Sequence, residues 1–148
     1  MKRIPLAAAI LLVAGHALAG EFFEKDGFAL RGYDPVAYFT QGRPVKGSSQ
    51  YTAQYQGSTF EFASQENRDA FAANPARFAP QYGGYCAYGT AIKQKAAIDP
   101  SVFQIVDGKL YLNYNRDVQK LWSADVPGYI VKADANWPEV RQVTKVIE

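Results

Sequence analysis

The stretch that decides the fold is "YTAQYQGSTFEFAS", residues 51–64. Read with a period of two, Tyr51, Ala53 and Tyr55 share one face, Gln56-Gly57-Ser58 reverses the chain, and Phe60 and Phe62 share a face on the return. One apolar side and one polar side is the pattern of an antiparallel hairpin lying on a core. Ser64 then offers a hydroxyl to cap a helical run through Asn67 to Ala73, with Phe71 placed to bury. Asn74-Pro75 stops that run and starts a short turn to Phe78.

The same grammar recurs to either side. "EFFEKDGFAL" (21–30) has apolar residues flanking Asp26-Gly27, a turn dipeptide, and reads as a short hairpin or two extended pieces. In "GYDPVAYF" (32–39), Asp34 can cap and Pro35 can open a short helix that turns Val36, Ala37, Tyr38 and Phe39 inward, because proline is tolerated where the amide has no helical partner. "TQGRPVKGSS" (40–49) is loop by composition. "DPSVFQIVDGKLYLNYN" (99–115) holds two alternating runs, Val102 to Val106 and Lys109 to Tyr114, around Asp107-Gly108. Asn115 caps a helix carrying Val118, Leu121 and Trp122. Asp125 and Pro127 start a further one, expected to break before Pro138 and then continue to the C-terminus. The order predicts a single α+β domain: a small antiparallel sheet built from hairpins, packed with several short helices.

The first nineteen residues, "MKRIPLAAAILLVAGHALA", carry Lys2 and Arg3, an apolar run from Leu6 to Val13, and an A-x-A pattern before Gly20. They read as a signal peptide (1–19), leaving a mature domain over 20–148 with a helical C-terminal extension and a periplasmic or secreted location. No later segment approaches the ~20 consecutive apolar residues of a membrane span. Removal of Lys2 and Arg3 takes Lys plus Arg from 16 to 14, against 14 Asp plus Glu. A neutral chain without basic runs has no electrostatic footprint for nucleic acid.

Loss of that segment also removes the sole histidine, His16, and leaves one cysteine, Cys86. No internal disulfide, no His/Cys metal site within one chain and no histidine-based catalytic triad can then form. "GYCAYGTA" (84–91) lacks the Gly-Lys-Ser/Thr of a phosphate loop. The carboxylates Asp34, Glu61, Asp99 and Asp107 stand singly, mostly in turns, where capping accounts for them.

Cys86 lies in "YGGYCAYGTA" (82–91). With Gly83 and Gly84 leading into a helix, it falls in the first turn, where free amides and the helix dipole lower a thiol's pKa. Lys93 would share that face. Tyr82, Tyr85 and Tyr88 recur every three residues around the thiol; they serve as amphipathic core-edge residues or as the walls of a small pocket, with Trp122 as a further wall.

"GYDPVAYF", "YQGSTFEFASQENRDAFAANPARFAPQYGGYCAYG" (55–89) and "DGKLYLNYN" (107–115) resemble the YHS-domain proteins, in particular their exported branch. The metal-associated branch has Asp-Pro-Val-Cys and Phe-Cys-Ser followed by a further cysteine. Here Ala37, Ala63 and Asn67 occupy the three thiol positions, so the resemblance implies no metal site. It also implies a functional Cys86, since relatives in the exported branch carry selenocysteine in the same context.

Three readings follow. The preferred one is a periplasmic protein whose Cys86 is a redox-active or ligand-handling thiol, its partner an oxidant, a small thiol or another protein's disulfide. The alternative is a non-catalytic module binding a small ligand or metal complex in a Tyr-rich pocket. The third is a homodimer bridged through Cys86. Whether the chain is an enzyme, and which cofactor it takes, the sequence leaves open.

Overall fold

In the computed structural model, which describes residues 21–148, the chain is an α+β assembly of three two-stranded antiparallel sheets and six helices. The signal-peptide reading of residues 1–19 lies outside the described residues. The strands are β1 (Glu24–Lys25) with β2 (Phe28–Ala29), β3 (Ser48–Tyr55) with β4 (Ser58–Phe62), and β5 (Phe103–Val106) with β6 (Lys109–Leu112). The helices are α1 (Pro35–Thr40), α2 (Gln65–Ala73), α3 (Pro75–Phe78), α4 (Ala87–Ala91), α5 (Arg116–Ser123) and α6 (Val126–Val140).

Each hairpin closes on a two-residue turn ending in glycine: Asp26-Gly27, Gln56-Gly57 and Asp107-Gly108. Both residues of every turn have positive φ, from 48° to 86°. That is the type I′ signature, whose twist matches the flanking strands. Register follows directly, with Ala53 opposite Phe60 and Phe103 opposite Leu112. Tyr51, Ala53 and Tyr55 pack on the core that Phe60 and Phe62 enter fully.

Helix starts follow the chemistry of capping. Asp34, Ser64, Asn115 and Asp125 each stand at an N-cap and accept a hydrogen bond from a first-turn amide. Phe71 on α2 is buried and meets Phe60, Phe62 and Tyr55 with ring centroids 4.9, 5.1 and 5.9 Å away. Such tilted and edge-on aromatic pairs add about 0.5–1.5 kcal/mol each beyond their area. A second apolar cluster gathers Tyr82, Ala87, Ala91, Tyr111, Trp122 and Ala133, so α4, β6, α5 and α6 close around it. Trp122 is its fully buried centre, its Nε1–H donating to Gln104 Oε1 at 3.0 Å, while Leu121 beside it is exposed.

The C-terminal third departs from expectation. α6 is not broken before Pro138: it runs through it to Val140, giving up only the bond that residue 138 would donate to the Asp134 carbonyl. Nor does helix continue to the end. After Val140 the chain turns and runs extended beside Lys95–Ala97, with Ile147 N–H donating to Lys95 O and Ala97 N–H to Ile147 O, both at 2.8 Å. The tail therefore binds as backbone, a pairing that carries no period a single sequence could reveal.

Candidate functional site

The segment Gln81–Gly84 sets the geometry around the thiol. Tyr82, Gly83 and Gly84 all have left-handed backbone, with φ of 54°, 61° and 75°. Glycine is required at 83, where a Cβ would run into the Glu21 carbonyl oxygen, and Gly83 O accepts Phe23 N–H at 2.7 Å. Tyr82 holds the same conformation at a steric cost that its own contacts offset. Its ring packs on Tyr111 and Trp137, and its O–H donates to Asp134 Oδ1 at 2.7 Å. Burial, then that hydrogen bond, pushes the Tyr82 phenol far above its ordinary range, so it stays a donor.

Cys86 is 1% exposed and is the N-cap of the five-residue α4. Its Sγ accepts Gly89 N–H at 3.3 Å and lies 3.5 Å from Asn113 Oδ1, to which the S–H donates. Its own N–H donates to Ala96 O at 3.0 Å, and its carbonyl accepts both Thr90 N–H and Thr90 Oγ1–H. The expectation of a lowered pKa is overturned: burial raises the thiol, and the amides of Gly89, Tyr114 and Tyr88 oppose this without prevailing. Lys93 does not share its face either, since α4 ends at Ala91 and Lys93 sits at φ 62° with its ammonium on Glu139.

The three tyrosines do not converge on one pocket. Tyr82 faces α6. Tyr85 is buried between Phe23 and Trp137 and carries the Lys95 ammonium 4.5 Å above its ring. Tyr88 packs edge-on against Tyr129 of α6, 5.2 Å away. Trp122 is sealed in the core. Gly84 packs against Pro80 and Leu30.

Of the expected pocket residues, Tyr82 and Gly83 line an open cleft of about 490 Å³. The rest of its wall comes from places the local pattern did not single out, notably Trp137 and Asp134 on α6, Lys109 at the β5–β6 turn, and Tyr55 at the β3–β4 turn. No sequence period links residues 55, 82, 109 and 134; only the packing of two hairpin turns against α6 does. Asn113 was missed as well. It is 1% exposed, and its Oδ1 also accepts Tyr88 N–H at 3.0 Å. A polar residue ending the apolar run "LYLN" was the available signal.

Ala37, Ala63 and Asn67 do come together. Asp34, fully buried, accepts Val36 N–H (2.8 Å) and Ala37 N–H (3.3 Å) on Oδ1, and Ala63 N–H (2.9 Å) and Asn67 Nδ2–H (2.7 Å) on Oδ2. The carboxylate is thus more than a helix cap: it ties the starts of α1 and α2 to the end of β4. Four donors fill both oxygens, and among the described residues no group of three His, Cys, Asp or Glu side chains converges to hold an ion.

No curated protein and no solved structure matches this chain. The sequence model of the YHS domain matches residues 36–82, from the first turn of α1 to the left-handed Tyr82. That span holds the β3–β4 hairpin, the Phe71 cluster and all four donors to Asp34, and over it the chain is similar to the YHS domain.

Proposed function

We propose that this chain is an exported, small-ligand binding module whose site is the cleft bounded by Tyr82, Gly83, Asp134 and Trp137. The observation that carries this is a contrast: the cleft is open and has the volume of a small-molecule site, whereas the one thiol is 1% exposed. Half-buried Trp137 presents an indole at its wall, and Lys109 and Asp134 supply polar groups to orient a ligand. Export rests on the leader-like residues 1–19 alone, and the N-terminus of the protein recovered from the periplasm checks it.

The test of the cleft is a small-molecule screen of the folded chain by NMR. Binding in the cleft shifts the Trp137 indole signal and leaves that of buried Trp122 in place. Hits that move neither indole and survive Trp137→Ala overturn the assignment.

One observation favours a second reading, reversible thiol chemistry at Cys86: an amide hydrogen bond already points at Sγ. It requires the folded protein to react with a thiol reagent faster than its unfolding allows. Labelling that appears only with denaturant removes it.

A further inference from the structure

The cleft carries two charged side chains that make no ion pair among the described residues. Lys109, exposed at the start of β6, makes no ion pair among the described residues. Asp134, exposed on α6, makes none either; its one partner is the neutral Tyr82 hydroxyl, which holds Oδ1 in place. The other acid of the wall, Glu21, is already engaged by Arg141. Lys109 and Asp134 therefore line one cleft without pairing with each other. Beside Asp134 on α6 stands Trp137, with Tyr82 6.1 Å from its ring, an aromatic surface that attracts cationic nitrogen.

Resting on the cleft reading above, we propose that its ligand is a small zwitterion: an organic ammonium held by Asp134 and the face of Trp137, and a carboxylate held by Lys109. A plain cation would leave Lys109 opposing it, and a plain anion would meet Asp134. Only a molecule bearing both charges satisfies both walls.

The probes are glycine betaine, tetramethylammonium and propionate, each titrated into the folded full chain with the Trp137 indole signal as readout and Trp122 as control. Glycine betaine is expected to bind at least about ten-fold tighter than either single-charge probe, the worth of one charge-assisted contact. Lys109→Met should cancel that advantage over tetramethylammonium, and Asp134→Asn, which keeps an acceptor for Tyr82, should abolish both. Tetramethylammonium or propionate binding as tightly as betaine, or a betaine affinity unmoved by Lys109→Met, overturns the zwitterion while the cleft reading stands. If no probe and no hit of the broader screen moves Trp137, the cleft reading falls and the zwitterion with it.

Discussion

Asp34 offers the sharpest test of how this fold is held. Replacing it with alanine removes the acceptor for Val36 N–H, Ala37 N–H, Ala63 N–H and Asn67 Nδ2–H, all around a side chain with no exposure. A buried donor left without a partner costs about 1–3 kcal/mol. The Ala63 and Asn67 donors, only part-buried, can recover part of this from water, whereas the buried α1 amides cannot, which sets the expected loss at about 3–5 kcal/mol. For a chain of this size that corresponds to a fall in Tm of roughly 12–20 °C. Asp34→Asn preserves shape but turns one acceptor into a donor facing donors, and should cost about 2–3 kcal/mol; Asn67→Ala, which removes a single donor, should cost about 1 kcal/mol. Thermal and urea denaturation of the three variants measure the series. Asp34→Ala melting within about 3 °C of the parent, or Asn67→Ala proving the most damaging of the three, would refute the account of Asp34 as a tie between α1, β4 and α2.

Two further outcomes follow from the same physics. Burial raises the Cys86 thiol in the folded state, so the stability it brings is fully present below the unfolded value of about 8.5 and is lost as pH rises toward the folded one. Urea midpoints measured from pH 7.5 to 9.5 should fall for the parent and stay flatter for Cys86→Ala, and parallel curves would contradict the burial. Asn136 of α6 donates through Nδ2 to the carbonyls of Thr90 and Ala91, at 3.2 and 3.0 Å, closing the end of α4. Asn136→Ala should cost about 1–2 kcal/mol and speed amide exchange in α4, whereas unchanged exchange there would show that α6 does not clamp it.

Much of this architecture is written locally. Three x-Gly turns, all left-handed, announce the hairpins, and four side-chain caps announce the starts of α1, α2, α5 and α6. Phe71 and Trp122 follow from helical spacing. What was not legible depends on segments meeting from far apart. The fate of Cys86 is decided by Asn113 and by the backbone of Ala96, and the same helix start exposed to water would have given the opposite pKa. The cleft likewise exists only because α6 lies across two hairpin turns. The role of Asp34 was half legible: capping could be read from Asp-Pro, while its grip on Ala63 and Asn67 could not.

The sheets themselves have a consequence for handling the protein. Since each is a single ribbon of two strands, all six described strands are edges, with one row of backbone groups unpaired within its sheet. What keeps neighbouring molecules from adding to those rows is the cover of helices and loops held down by the aromatic core. A variant that loosens the Phe71 cluster should therefore announce itself by light scattering, through strand-to-strand association, before circular dichroism records any loss of structure.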